Sequence, residues 1–442
     1  MAFYLEAMTD QRDFFEPGHA PEDRTEPPAP PAGTGGFDQH AAPPTREAGL
    51  QRLADFVPST GRAYASERNH DYGPGRRANI SGLSPYTRRR LVTEDEIVRA
   101  TLDRWALSTT EKFVQEVCWR TYWKGWLERR PSAWTDYQAE LRADAQQLEK
   151  EAGLRSAYED AVAGRAGIEG FDDWARELVE TGYLHNHARM WFASIWVFTL
   201  RLPWSLGADF FLRHLLDGDP ASNTLGWKWI AGLQTLGKNY VARASNIRKY
   251  TDGRFAPQGL NETASPLDGA VHRKAAPAPQ SDPIDPDAPT LLLVTDEDGR
   301  PEETPLSGVR PLAIAGLRAS APPSPFDWAD PPRAFAEGAV VDALDRAAAA
   351  FDAPSEGVLS TDRIGERARA LGAQQVAVAW TPVGATADRV SALARSLAPH
   401  NIRLVRRLRD WDAAFWPHAA KGFFGLKKQI PDVLRALGVG GG

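Results

Sequence analysis

Two short stretches hold most of the polar chemistry of this 442-residue chain: Thr181-Gly182-Tyr183-Leu184-His185-Asn186-His187-Ala188-Arg189-Met190 and Asp217-Gly218-Asp219-Pro220-Ala221-Ser222-Asn223. Each sets Asn, Arg or Asp among bulky apolar residues, where an unpartnered polar group would be costly to bury. Two outcomes satisfy that constraint: a buried network closed on itself, or a binding cavity whose partner completes the hydrogen bonds. Composition alone favours the closed network. His185 and His187 suggest a metal only at first sight, because residues i and i+2 of a helix lie on different faces and cannot chelate together. No metal site is expected.

Composition narrows the chemistry further. The 52 basic residues stand against 58 acidic ones, a net charge of −6, which excludes a general polyelectrolyte clamp but not a local basic patch. One cysteine excludes a disulfide framework and any four-cysteine metal or iron–sulfur site. The excess residues are 15 Trp and 34 Pro. Met1 to Asp23 holds acidic residues where a secretory signal needs basic ones and an unbroken apolar run. Met190 to Leu200, the most apolar stretch, is too short to span a bilayer and reads as a buried helix. A cytoplasmic protein without a membrane partner, and a monomer, is expected.

The elements that must position these residues fall into two blocks. Residues 1–45 are Pro- and Gly-rich and read as disordered, 46–256 as a Trp-rich helical domain, 257–289 as an extended Pro-rich linker, and 290–436 as an Ala- and Val-rich α/β domain. In the first block Thr93-Glu94-Asp95-Glu96 is a capping box that opens a helix through Trp105. Phe171, Trp174 and Leu178 recur at helical spacing, and Gly182 suits the residue that ends that helix. In the second block, 291–294, 312–315, 376–380 and 402–405 read as buried strands, with helices over 340–351, 363–371 and 388–397. Strand–helix alternation with apolar strands predicts a small, doubly wound parallel sheet. No GxGxxG and no Walker A loop is present, so nothing in that block argues for dinucleotide or triphosphate binding.

Four ordered motifs in 46–256 carry a family resemblance: Tyr64 with Glu67-Arg68-Asn69; Ser81-Gly82-Leu83-Ser84-Pro85-Tyr86; Glu116-Val117-Cys118-Trp119-Arg120; and the run from Gly182 through Arg213-His214-Leu215-Leu216-Asp217-Gly218-Asp219-Pro220-Ala221-Ser222-Asn223 to Gly226-Trp227-Lys228-Trp229. Together they resemble the FAD-binding domain of the photolyase/cryptochrome family. The resemblance implies an all-α domain holding FAD in a bent form. Tyr64, Ser81, Gly82, Leu83 and Ser84 would meet the pyrophosphate, with backbone donors suited to an anion. Arg120, Asp217 and Asp219 would bind the cofactor, Arg189 would lie beside the isoalloxazine, and Asn223 opposite flavin N5. A neutral amide there suits a repair enzyme.

The same resemblance implies a pocket for a flipped cyclobutane dimer lined by Glu116, Trp119, Asn186, Met190 and Trp229, with indoles stacking on extruded bases and a carboxyl and an amide bonding their edges. Trp227 and Trp204 would be the proximal and middle members of an electron-transfer chain. Glu140 stands at the distal position, with Trp134 and Tyr137 nearby, and Trp123, Trp191 and Trp196 read as core. From Arg201 to Phe255 eight Lys/Arg face four acids, among them Arg243, Arg248 and Lys249 as DNA contacts, and Arg88-Arg89-Arg90 adds three more charges.

Three departures qualify the resemblance. Ile80 replaces the usual Thr, and the 233–240 loop differs from that of dimer photolyases. Asn246-Ile247 to Phe255 is similar to the single-strand-preferring DASH branch, which leaves strandedness open. The domain order is also reversed, since 290–420 resembles the α/β antenna domain that usually comes first. Whether an antenna chromophore binds is unreadable. The expectation is a light-driven lyase repairing UV-damaged DNA through reduced FAD, the alternative a cryptochrome-like photoreceptor with the same flavin.

Overall fold

In the computed structural model of the protein, residues 42–440 are described, apart from 304, 305 and 307. The disorder expected of 1–45 therefore lies almost wholly outside the described residues. Only its end is seen: the side chain of Thr45 caps the first helix by accepting from the Ala48 N–H.

The N-terminal half is helical throughout: α1 (Arg46–Phe56), α2 (Arg62–Glu67), α3 (Ser84–Arg88), α4 (Glu94–Leu102), α5 (Leu107–Glu128), α6 (Ser132–Lys150), α7 (Ala152–Val162), α8 (Phe171–Thr181), α9 (Asn186–Ser194), α10 (Trp204–His214), α11 (Pro220–Ile230) and α12 (Ala244–Tyr250). Local chemistry sets the ends. At α4 the Glu96 carboxylate accepts from the Thr93 N–H, closing the capping box, but the helix stops at Leu102, short of the expected Trp105. Gly170 and Gly182 bracket α8 with φ of 78° and 67°, conformations that other residues resist. The apolar run after Met190 is buried, yet it is not one regular helix: α9 passes into a π-helical turn, Ile195–Thr199. Among the described residues no helix is long and apolar enough to cross a membrane.

The C-terminal half contains β1 (Thr290–Val294), β2 (Pro311–Leu317), α13 (Asp330–Phe351), β3 (Ser355–Leu359), α14 (Thr361–Ala370), β4 (Gln375–Ala379), α15 (Ala385–Leu397) and β5 (Arg403–Arg407). The five strands form one parallel sheet in the order β3-β2-β1-β4-β5. Its pleat divides the core cleanly. Leu291, Leu293, Ala313, Val376 and Val378 pack with α14 and α15, while Leu292, Val294, Ile314 and Ala377 pack with α13. The doubly wound reading is correct in class. It misses β3 and starts α13 ten residues late, because the Pro-Pro pair after Asp330 is a helix opening rather than a break.

Two further findings change the expected layout. Residues 257–289 form no helix or strand, but they are fastened: Leu267 N donates to Ala231 O, Ala276 N to Arg129 O and Asp282 N to Arg406 O. After β5 the chain returns to the helical core through α16 (Asp410–Phe415), α17 (Phe423–Lys427) and α18 (Ile430–Ala436), burying Trp411, Phe415, Phe423, Leu426 and Leu434 there. Packing thus groups 410–436 with the helices rather than with the sheet.

The triplet Arg88-Arg89-Arg90, expected to add to a DNA-facing charge, is buried at the junction of the two halves. Arg88 forks onto Glu297 at 2.6 and 2.7 Å, Arg89 pairs with Asp296, and Arg90 donates to Asp412 at 2.7 and 2.8 Å. The acids come from the loop after β1 and from α16, so charge pairing welds the sheet to the helices. Replacing Glu297 by Ala leaves Arg88 buried without its carboxylate, and a loss of about 3–5 kcal/mol is expected in urea unfolding. A loss under about 1 kcal/mol would mean that water reaches the pair.

Candidate functional site

α11 carries the centre of the site. Asp219 is its N-cap, accepting from the Ala221 N–H at 2.8 Å and the Ser222 N–H at 3.3 Å, and Pro220 follows in the first turn. This fixes Asn223, Gly226, Trp227 and Trp229 on successive turns beside a cavity of about 360 Å³. The volume lies within the range of small-molecule sites. α5 supplies Glu116, Trp119 and Arg120, α9 supplies Asn186, Arg189 and Met190, and Tyr64, Ser81, Gly82 and Ser84 line the remaining wall. Asp217 and Asp219 complete it.

The charges on the wall are paired before any ligand arrives. Arg189 bridges to Asp217 at 3.1 Å and donates through Nε to the Leu184 carbonyl; Arg120 lies 3.2 Å from Asp219 and 3.8 Å from Asp217. Burial pushes the Asp219 carboxyl up, but Lys124, Arg88 and Arg120 outweigh it and hold it down at about 2. Asp217 is likewise held below its usual range: burial acts against Arg189 and Arg120, and the cations prevail. Glu116 behaves oppositely. Its desolvation at the wall raises its pKa, and Arg68 at 3.9 Å only partly offsets this.

Asn223 has a defined orientation. Its amide nitrogen donates to the Ala208 carbonyl at 2.7 Å, which leaves the amide oxygen as the acceptor toward the cavity. His185 and His187 are structural and neutral. His185 Nδ1 accepts the His187 N–H at 3.2 Å, so its proton sits on Nε2, 3.0 Å from the Arg68 carbonyl. Burial lowers the two rings to about 4 and about 3. His185 is the N-cap of α9 rather than a residue inside the helix. Among the described residues no group of three His, Cys, Asp or Glu could hold a metal.

Several expected residues stand apart. Leu83 points into the core beside Tyr86, and its N–H donates to Ser81 Oγ at 3.3 Å. Trp204 is buried behind the wall, where its indole N–H donates to Glu140 at 2.8 Å and its ring lies 5.7 Å from Tyr137. Arg243, the N-cap of α12, and Arg248 and Lys249 on that helix are exposed and do not line the cavity. Of the other cations in 201–255, Arg213 is buried against Asp209 and Arg254 is paired with Asp71, so the free basic surface is smaller than the charge count suggests. Trp123, read as core, lines the cavity, as do Arg68, Asn69, Tyr183 and Ser222. Asn69 and Ser222 sit inside quoted motifs. Trp123, one helical turn after Trp119, was the periodicity signal available.

Comparison with known proteins agrees with this geometry. Residues 113–278 match the family profile described as the FAD binding domain of DNA photolyase. The chain is 34% identical over 184 residues to a deoxyribodipyrimidine photo-lyase of Streptomyces griseus, covering 38% of each. It is 29% identical over 254 residues to that of Escherichia coli, covering 53% of this chain and 50% of the relative. It thus spans about two fifths to one half of the length of these curated relatives. A solved class III photolyase from Agrobacterium tumefaciens is 24% identical, with a TM-score of 0.39 over 48% of this chain and 44% of that one. Over residues 113–278 the chain is thus similar to the FAD binding domain of DNA photolyase.

The residues present fit FAD. Gly226 lines the cavity, and a Cβ built on it meets nothing within 4 Å, so its wall is open for a flat ring. Trp227 Nε1 beside it is buried with no hydrogen-bond partner among the described residues. A second chromophore finds no such fit in the crevice beyond the carboxyl ends of β1 and β4, the position where doubly wound sheets usually bind ligands. Asp296 and Glu297 fill it, Thr386 Oγ1 donates to Asp296 at 2.7 Å, and about 30 Å³ remains, room for a water.

Two outcomes are expected. Gly226→Leu keeps or raises Tm, since Gly in a helix costs about 1 kcal/mol against a good helix former, yet yields protein without flavin absorbance. Asp219 has a depressed folded pKa, so its contribution is complete above the unfolded value of about 4 and is lost as pH falls toward 2. Asp219→Asn therefore flattens the acid limb of urea midpoint against pH.

Proposed function

We propose that the protein is a deoxyribodipyrimidine photolyase: it binds UV-damaged DNA and opens a cyclobutane pyrimidine dimer held against FAD. The observation that supports this most is the meeting of two residue sets in one cavity: Arg189, Asp217, Asp219 and Asn223 with Glu116, Trp119, Asn186, Met190 and Trp229. When bound, reduced FAD supplies the light-driven electron that breaks the dimer and recovers it afterwards, with no net redox change.

The chain's own residues then have separate tasks. The Asn223 amide oxygen, oriented by the bond from its nitrogen to Ala208, would accept an N–H and so would favour a reduced flavin. Arg189 and Arg120, already paired to Asp217 and Asp219, present preorganised positive charge at little further reorganisation. Trp119 and Trp229 give flat apolar walls for two unstacked bases, and Asn186 stands exposed at the mouth. Glu116, its pKa raised by burial, supplies a carboxyl for hydrogen bonding to the polar edge of a pyrimidine. Trp227 and Trp204 are assigned to electron supply for the flavin, with Glu140 accepting the indole N–H of Trp204 where the sequence places the distal member.

The test is direct. Purified protein should carry FAD, and light should repair dimer-containing oligonucleotides, single- and double-stranded. Glu116→Ala and Trp229→Ala should keep the flavin spectrum and lose repair by at least about tenfold, the weight of one charge-assisted hydrogen bond or one base stack. Full repair by either variant overturns the pocket assignment. Flavin without light-dependent repair in the unmodified protein would make it a photoreceptor instead.

A further inference from the structure

Two indoles of the cavity wall, Trp229 and Trp119, are each backed by an aromatic ring from a segment that also carries exposed cations. Trp229 stacks on Tyr240 with centroids 5.9 Å apart and planes 19° apart, and Arg243 is exposed three residues on. The second backing comes from the far end of the chain. Phe423 of α17 lies flat on Trp119, with centroids 3.7 Å apart and planes 14° apart. The segment is held against α5 by several bonds: Tyr122 donates its hydroxyl to the Lys421 carbonyl at 2.9 Å, Arg130 donates to Ala420 O at 2.7 Å and Arg129 to Pro417 O at 2.6 Å.

Between Lys421 and Pro431 the sequence has three lysines and no acid. Lys427 is engaged, 3.7 Å from Glu111. Lys421 and Lys428 are exposed and have no ion pair among the described residues. They flank the ring that supports Trp119, much as Arg243 flanks the ring that supports Trp229.

We propose that the C-terminal segment Lys421–Lys428 is the second arm of the nucleic-acid interface, Lys421 and Lys428 meeting backbone phosphates while Phe423 holds Trp119 in position to stack on a base. This rests on the reading that the cavity receives damaged DNA, and it adds a surface far in sequence from the photolyase-like motifs. Stacking platforms flanked by lysines are the arrangement that single-stranded nucleic acid requires, since the π face reads no sequence and the cations follow the backbone. Phe423 is a positioning residue: it is buried and acts through Trp119.

The experiment measures binding of the full chain, flavin bound, to a labelled single-stranded oligonucleotide carrying one thymine dimer, across a salt series. Each phosphate contact on a single strand contributes about 0.7 to the slope of log K against log salt. Lys421→Ala with Lys428→Ala should therefore lower that slope by about 1.4 and weaken binding at low salt, with Tm and flavin spectrum unchanged. Phe423→Leu keeps an apolar plug without the ring; it should leave the slope unchanged and weaken affinity for dimer more than for undamaged strand. An unchanged slope in the double lysine variant overturns the inference. Altered slopes in a protein that never repairs dimers would retain this surface while the repair reading fails, and absence of any DNA binding by the unmodified chain would overturn both.

Discussion

Buried charge that must be neutralised sets the geometry of this molecule. Asp219 has the N-terminus of α11 on one side and Arg120 on the other, with Arg88 and Lys124 close enough to depress its pKa. Arg88 in turn donates to the Gly218 carbonyl and forks onto Glu297. A single chain of charges therefore runs from the cavity wall to the first loop of the sheet. None of these groups can move far without stranding a partner in a dry interior, where the loss is several kcal/mol. The cavity is preformed for that reason, and its polar atoms are aimed before a ligand enters.

The motif residues were legible in the sequence because their neighbours along the chain place them. Asp219-Pro220 starts a helix by local chemistry, and Asn223, Trp227 and Trp229 then follow from helical spacing. The fate of Arg88-Arg89-Arg90 was not legible in the same way. A run of three arginines looks the same whether water or carboxylates solvate it, and the acids that decide the matter lie about 200 or more residues away, at Asp296, Glu297 and Asp412. Tertiary pairing reversed the charge-run reading. Trp123 was missed for a related reason: an indole one turn from a cavity residue can face the core or the cavity, and only the packing of α17 on Trp119 settles the rotation of α5.

The order of helices and sheet along the chain carries little structural weight. The sheet meets the helices through loops at the carboxyl ends of β1 and β4, where Asp296 and Glu297 take Arg88 and Arg89, and the Val383 N–H and Trp380 Nε1 donate to Glu128. Those contacts depend on which strand ends face the helices. They do not depend on whether the sheet is made first or last, provided the connection can reach. Residues 257–289 make that reach as a fastened strap rather than a loose tether. After β5 the described chain continues to residue 440. Within that stretch Phe423 packs on the face of α5 that carries Trp119 and Tyr122. The segment after β5 thus brings Phe423 against Trp119, a residue of the cavity wall, from a part of the chain far from the other wall residues.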